Sequence, residues 1–128
     1  MITVTISELI NSTETLKKLA NKELKAKLAW SVARLLKSAD QEIQDFNDAR
    51  MKLIRQYGEK DENGELITDE RGNCKILDED VQKFTDELNE LTNTTVEINA
   101  NKINIEDIEN IDFTPAEMTQ LEPFINFD

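Results

Sequence analysis

The stretch that decides the fold is LKAKLAWSVARLLKSADQEIQDFNDARMKLIRQY, from Leu24 to Tyr57, which contains neither glycine nor proline. Its main apolar series recurs at steps of three and four residues, at Leu28, Val32, Leu35, Ala39, Ile43, Phe46, Ala49, Leu53 and Tyr57. This spacing is close to a coiled-coil heptad and predicts one long helix with a single apolar stripe, which Gly58 ends. At ~1.5 Å per residue the helix spans roughly 50 Å, and it cannot bury such a stripe alone.

A second amphipathic helix follows downstream. Its apolar residues are Val81, Phe84, Leu88 and Leu91. Asp78 or Asp80 is placed to cap its start, and the polar run 93–95 ends it. The two helices predict an antiparallel helical hairpin with residues 58–77 as the acidic β-turn or hairpin that connects them. Because the second helix covers only part of the first, a short N-terminal helix or another copy of the chain must cover the rest.

The N-terminal flank predicts a strand and then a short helix. ITVTI, residues 2–6, alternates with β-branched side chains, which is typical of a strand. TLKKLAN, residues 15–21, predicts a short amphipathic helix that ends near Asn21, with Ser7 or Ser12 as its candidate cap.

The C-terminal flank predicts two more strands and a last helix. TVEI (95–98) and KINI (102–105) predict short strands that pair with ITVTI. In TPAEM, Thr114 is the predicted N-cap, Pro115 the first helical residue and Glu117 the reciprocal capping residue. Pro123 ends this helix, and the apolar run FINF (124–127) is expected to dock onto the body of the protein. The whole pattern predicts a mainly α fold with a minor β element in a single domain, residues 1–128, without an internal repeat.

Composition excludes several classes of chemistry. The 128 residues include no histidine and one cysteine, Cys74. The commonest general base, the Cys–His and Ser–His pairs and most zinc sites are therefore ruled out, and no internal disulfide can form. The start of the chain does not resemble a secretory signal, and no run is apolar enough to cross a bilayer, so a cytosolic location is expected.

Charge divides the chain into two unlike halves. Residues 1–57 carry 10 basic and 7 acidic side chains, a net of +3, whereas residues 58–128 carry 5 and 20, a net of −15. The total of −12 disfavours nucleic acid as a partner, because binding to phosphates depends on basic side chains. An acidic half instead favours docking onto a basic protein surface.

The connection between the two helices nearly matches a calcium-binding loop over Glu59–Glu70. Its candidate ligands are Glu59, Asp61, Asn63, the Glu65 carbonyl oxygen and Glu70. Gly64 stands at the sixth position, as such a loop requires, but Glu59 is one methylene too long and Ile67 offers no ligand. The alternative is a pair of turns, at Asn63-Gly64 and at Arg71-Gly72-Asn73. We favour the turns and predict neither a metal nor another cofactor.

A basic patch over residues 17–37 surrounds the one tryptophan, Trp30. One interpretation is a binding surface formed by Trp30, Arg34 and Lys37. The other, which the sequence favours, is a solvated basic face with Trp30 buried by the N-terminal helix or by a subunit contact. If Trp30 is exposed, a protein partner is a better hypothesis than nucleic acid, because tryptophan is enriched at the energetic centres of protein interfaces.

The acidic residues of the connection are the second candidate partner-binding group. They are Asp61, Glu62, Glu65, Asp69 and Glu70. No nucleophile, phosphate-binding loop or oxyanion device accompanies the carboxylates, so the sequence predicts a protein that is not an enzyme.

Three segments carry a resemblance to a known family: KLIRQYGEKDENGE (52–65), FTDELNELTNTTVEI (84–98) and TPAEMTQLEPFI (114–125). Over about residues 20–125 the chain resembles a family of small proteins from tailed bacteriophages and Gram-positive prophages. The resemblance implies a phage origin and a place in the host cytoplasm or within the virion. The first hypothesis is a protein that binds and modulates or inhibits a host or defence protein. The alternative is a virion or assembly component that self-associates through the long helix.

Overall fold

The computed structural model describes residues 1–127, which form four α-helices and four short strands. In chain order these are β1 (Ile2–Thr5), α1 (Ile6–Ala20), α2 (Ala26–Tyr57), α3 (Val81–Thr92), β2 (Thr95–Ile98), β3 (Ile103–Asn104), α4 (Pro115–Leu121) and β4 (Ile125–Asn126). Single 3-10 turns lie at Asp78–Asp80, Ile105–Ile108 and Glu122–Phe124. The predicted mainly α fold, with a long helix and a minor β element, is confirmed.

The chain, expected from its length to be one domain, divides into two compact units. The first contains Met1–Ile43 and the residues from Thr94 onward, and the second is Gln44–Asn93. The boundary lies within α2, so each unit contains one part of this helix.

The first unit is built on an antiparallel strand pair. β1 pairs with β2 in a register that places Ile2 opposite Ile98 and Val4 opposite Val96. The side chains of Ile2, Val4 and Ile98 are buried in the core, which is why this predicted pairing forms.

The predicted pairing of KINI with β1 is wrong. Ile103 of β3 pairs in parallel with Ile125 of β4, and both side chains are buried. β1 pairs with β2 alone, and the two-residue strand β3 forms a separate sheet with the C-terminal strand β4. The expected docking of FINF is confirmed for Phe124 and Ile125, whereas Phe127 is exposed.

Helix α1 begins earlier than predicted because Thr5 caps it. The Thr5 backbone N–H donates to Glu8 Oε1 at 3.0 Å, and the Glu8 N–H donates to Thr5 Oγ1 at 3.1 Å. This capping box satisfies two backbone donors at the helix start, so neither Ser7 nor Ser12 serves as the cap. Ser12 is instead buried within the helix, where its hydroxyl donates to the Leu9 carbonyl oxygen at 2.9 Å.

Helix α4 starts as predicted, with Pro115 as its first residue and a second capping box. The Thr114 N–H donates to Glu117 Oε1 at 2.9 Å, and the Glu117 N–H donates to Thr114 Oγ1 at 3.1 Å. Lys18 of α1 donates to the same carboxylate at 2.9 Å, which ties the two helices together. The Thr114 backbone donor and, next, Lys18 hold the pKa of Glu117 below its ordinary value.

Helix α2 contributes its apolar stripe to this unit. Val32, Leu35 and Ala39 are buried in the core, and Leu28 and Ile43 pack against it half-buried. Leu9, Leu16 and Leu19 of α1 and Leu121 and Phe124 near the C-terminus belong to the same core. The predicted stripe is therefore confirmed over the first half of the helix.

The second unit contains the end of α2 and helix α3. The Tyr57 and Phe84 rings meet edge to face, with their centroids 6.5 Å apart. The Tyr57 hydroxyl donates to Glu87, and this hydrogen bond raises the pKa of Tyr57. Asp80 takes the N-cap position of α3, as predicted, but its side chain accepts no capping hydrogen bond.

Residues 58–76, between the two helices, form a closed triangle of three short segments instead of a simple hairpin. Glu59 N–H donates to Lys75 O at 2.7 Å, Lys75 N–H donates to Ile67 O at 2.8 Å, and Ile67 N–H donates to Glu59 O at 2.9 Å. Each segment therefore pairs with both of the others. Such closure leaves no segment as a free sheet edge, which protects the connection from pairing with other chains.

Gly58 ends α2, but not because it adopts a left-handed conformation. Within residues 1–127, positive φ angles occur only at Gly64 and Gly72. A Cβ added to Gly58 would collide with the Ile54 carbonyl oxygen and would lie 2.6 Å from Leu66 Cδ2. Glycine is required here because the Ile54 carbonyl oxygen of the last turn of α2 and the Leu66 side chain of the triangle leave no room for a Cβ.

We expect Gly58→Ala to lower the free energy of unfolding by about 1–3 kcal/mol, the usual range for overpacking a closed site. Urea denaturation followed by circular dichroism measures the change. Ala49→Gly, at a half-buried position of the same helix, is the backbone control, with an expected loss of about 1 kcal/mol from helix propensity. Unchanged stability of Gly58→Ala would contradict the proposed steric role.

The Glu117 carboxylate predicts a pH-dependent link between α1 and α4. Because its pKa is lowered in the folded state, ionised Glu117 stabilises the fold above the ordinary pKa of a glutamate, and this contribution is lost as the pH falls through the lower folded pKa. Glu117→Gln should therefore be less stable than the parent at pH 7, and the difference should shrink on acidification. Unfolding curves at pH 7, 5 and 3 measure it, and a difference independent of pH would contradict the assignment.

Candidate functional site

Trp30 lies near the start of α2 and is 67% exposed. Its position follows from the helical period: each residue turns the helix by about 100°, so Trp30 stands about 200° from both Leu28 and Val32, which face the core. The expectation that the N-terminal helix buries Trp30 is therefore wrong, and its burial by a subunit contact stays a prediction. The core of the first unit, to which Val32 belongs and against which Leu28 packs, lies on the opposite side of α2.

The basic residues predicted to accompany Trp30 share its face. Lys27, Arg34 and Lys37 lie three residues before, four after and seven after Trp30, and all three are exposed. Trp30, Arg34 and Lys37 line one open groove of about 540 Å³. The structure thus brings together the first three predicted partner-binding residues.

The other wall of this groove is formed by Asn99, directly after β2. The Asn99 N–H donates to Ser38 Oγ at 2.9 Å, which fixes the end of β2 against α2. A smaller hollow of about 220 Å³ also borders Trp30 and includes Met1, which is 69% exposed. Sequence reasoning missed Asn99 and Met1, since only the fold places them beside Trp30.

We call this surface the Trp30 face and define it by Met1, Lys27, Trp30, Arg34, Lys37 and Asn99. Among the charged residues that line the two hollows, Lys27, Arg34 and Lys37 are positive and Glu42 is negative. The lining therefore carries a net of +2 on a chain whose net charge is −12. The Trp30 face is therefore a positively charged region around an aromatic side chain, on a protein that is acidic as a whole.

The acidic partner-binding candidates are all exposed and lie on two turns of the second unit. In the first turn, Asp61 Oδ1 accepts the N–H groups of Asn63 and Glu65 at 2.8 and 3.0 Å. Gly64 follows with φ +80°, the left-handed conformation that completes a turn of this kind. Asn63 does not share it, so a two-residue turn with two left-handed positions is excluded.

The second turn repeats the first eight residues later. Asp69 Oδ1 accepts the N–H groups of Arg71 and Asn73 at 2.8 and 3.0 Å, and Gly72 has φ +81°. KDENGELI (60–67) and TDERGNCK (68–75) are thus one repeated hairpin unit, and the expectation of no internal repeat is wrong. The spacing Asp-Glu-x-Gly, present twice, is the signal in the sequence.

In this geometry the candidate calcium ligands have different structural roles. Asp61 closes its own turn, Glu59 forms an ion pair with Lys75 at 3.3 Å, and Glu70 belongs to the second turn. In the described part of the chain, residues 1–127, no group of three or more His, Cys, Asp or Glu side chains could hold a metal ion. Asp61 and Asp69 accept hydrogen bonds from backbone N–H groups, whereas the neighbouring Glu62 and Glu70 are exposed to solvent.

We expect Asp61→Ala to open only its own turn. Without the Asp61 carboxylate, the amides of Asn63 and Glu65 lose their acceptor, so their hydrogen exchange should accelerate, whereas Arg71 and Asn73 keep theirs. Exchange followed by nuclear magnetic resonance measures the four amides, with Glu62→Ala as the exposed control. Equal acceleration in both turns would show that they do not close independently.

Among residues 1–127, no helix is both long and apolar enough to span a membrane. No protein-family model, curated protein or solved structure matches the chain. The resemblance to phage and prophage proteins therefore stays a prediction, and the functional proposal depends on the Trp30 face and the acidic turns.

Proposed function

We propose that this chain is a non-catalytic protein that acts by binding another protein through the Trp30 face. The observation that carries the proposal is the 67% exposure of the only tryptophan, beside an exposed arginine on the same helical face. Tryptophan and arginine are among the residue types enriched at the few positions that dominate the binding energy of protein interfaces.

The free energy available at this position supports the proposal. An aromatic side chain of this size buries about 150–250 Å² when fully covered. With 67% of Trp30 exposed, a partner that covers the ring removes roughly 130 Å² from water, worth about 3 kcal/mol before the costs of association. One residue thus supplies a large share of the binding energy of a micromolar complex.

The acidic turns form a second proposed contact surface. Glu62, Glu65 and Glu70 are exposed, whereas the Oδ1 atoms of Asp61 and Asp69 accept backbone hydrogen bonds within their own turns. The glutamates are therefore the residues that meet a basic region of a target, and the aspartates hold the turns that present them. Exposed charges of this kind contribute mainly to the association rate and to specificity.

The resemblance of the sequence to phage and prophage proteins points to a host or defence protein as the target, in the host cytoplasm. In that setting, binding modulates or inhibits the target, since the proposal includes no chemistry of its own. The alternative role is a virion or assembly component that self-associates through α2. In residues 1–127 the exposed large apolar side chains are Met1, Ile10, Trp30, Val81 and Phe127. None of them belongs to the apolar stripe of α2, which makes self-association through that stripe the weaker hypothesis.

Affinity capture from host lysate tests the proposal. The intact protein is expected to retain a specific protein, identified by mass spectrometry and then purified for a direct binding measurement. Trp30→Ala should weaken that binding by at least about thirtyfold, the effect of losing an interface hot spot. Phe127→Ala, which removes another exposed aromatic ring, should bind like the parent.

Glu62→Gln, Glu65→Gln and Glu70→Gln combined should slow association with the same target at low salt and leave the fold intact. Circular dichroism checks the fold of every variant. Equal affinity of the Trp30→Ala variant and the parent would exclude the Trp30 face as the binding surface. Large assemblies in light scattering, without a bound target, would favour the self-association role instead.

A further inference from the structure

We infer that the Trp30 face takes a short acidic segment of its protein partner, with one apolar side chain of that segment packed on the Trp30 ring. The inference rests on the proposed function and adds the chemistry of the partner. It follows from three properties of the face: its charge, its length and the acidic residues that flank it along the sequence.

The charge is local and positive. Lys27, Arg34 and Lys37 flank Trp30 on one side of α2, and Glu42 is the one acidic residue that lines the groove or the hollow around it. Arg34 offers a planar guanidinium that binds a carboxylate with two parallel hydrogen bonds, and the lysines add point charges. Two or three carboxylates spaced along a segment complement this arrangement.

The length limits what fits. From Lys27 to Lys37, the first and last basic residues of the Trp30 face, α2 rises roughly 15 Å at 1.5 Å per residue. An extended chain covers about 3.3 Å per residue, so about five residues span the basic part of the face. The exposed Trp30 indole lies within this span, with Ala33 beside it in the groove, and forms a contact for one apolar side chain.

The boundaries disfavour a long polyanion. Glu23 precedes the lysines at the start of α2, and Asp40 and Glu42 follow Lys37. A nucleic acid strand that continues past Lys37 meets these carboxylates, whereas a segment of about five residues laid along Lys27–Lys37 ends before them. One tryptophan also offers a single stacking position, and proteins that bind single strands without sequence preference use several aromatic rings.

Selection from a random heptapeptide display library on the full chain tests the inference. The selected sequences are expected to be rich in aspartate and glutamate, with one apolar residue among them. The best peptide, made synthetically, should shift the fluorescence of Trp30 to shorter wavelength as the indole leaves water; because Trp30 is the only tryptophan, the signal reports on this face alone.

Charge reversal supplies the matched comparison. Arg34→Glu with Lys37→Glu should lower the peptide affinity by at least about tenfold, because each lost charge-assisted hydrogen bond is worth about a decade in affinity. Lys52→Glu with Lys83→Glu changes the net charge equally at exposed positions of the second unit and should change the affinity by less than about twofold. Circular dichroism confirms that both variants are folded.

The inference would be overturned by selected peptides that are neutral or basic, or by a selection that yields no peptide. Tighter binding of an oligothymidylate to the Trp30 face would overturn it as well. So would a Trp30 emission that shifts with protein concentration alone, because this result would identify a second copy of the chain as the occupant. A target captured through Trp30 but bound by no acidic peptide would refute only the partner chemistry. The absence of any Trp30-dependent target and of any Trp30-dependent peptide would refute the proposed function as well.

Discussion

The requirement to cover one face of α2 determines the rest of the first unit. Val32, Leu35 and Ala39 are buried on that face, and the residues that bury them come from α1, from the β1–β2 pair and from the C-terminal segment. The opposite face, about half a turn away, carries Trp30 and its basic neighbours. The same helix therefore closes the core and presents the binding surface. A face built on a packed helix needs little ordering when a partner arrives, which favours binding because ordering opposes affinity.

The parts of the fold that were predictable depend on neighbours along the chain. The apolar period of α2 and the Thr114–Glu117 capping box involve residues three or four apart, and both are confirmed. Thr5 and Glu8 have the same spacing as Thr114 and Glu117, so the early start of α1 was equally open to prediction. It was missed because the strand ITVTI was extended one residue too far, over Ile6, which places the cap inside a strand.

The parts that were not predictable depend on residues distant in sequence. β3 and β4 have two residues each, too few for an alternating pattern to specify a partner. The triangle at 58–76 needs three segments at once, and its repeat was hidden because the apparent calcium loop spans parts of both turns. The exposure of Trp30 likewise depends on residues that are distant in sequence. A tryptophan off the apolar stripe is buried or exposed according to which elements pack nearby, and here the core of the first unit lies on the other side of α2.

The charge distribution explains how an acidic protein can present a surface for an acidic segment. A net charge of −12 repels anions at long range, but at physiological ionic strength the screening length is about 8 Å. At contact distance the charges that matter are those that line the two hollows beside Trp30, where the three basic side chains of the Trp30 face oppose Glu42. Long-range repulsion then slows the approach of any extended polyanion, while a short segment that reaches the face interacts mainly with Lys27, Arg34 and Lys37. Affinity at such a site depends chiefly on dissociation, and therefore on how completely the partner covers Trp30.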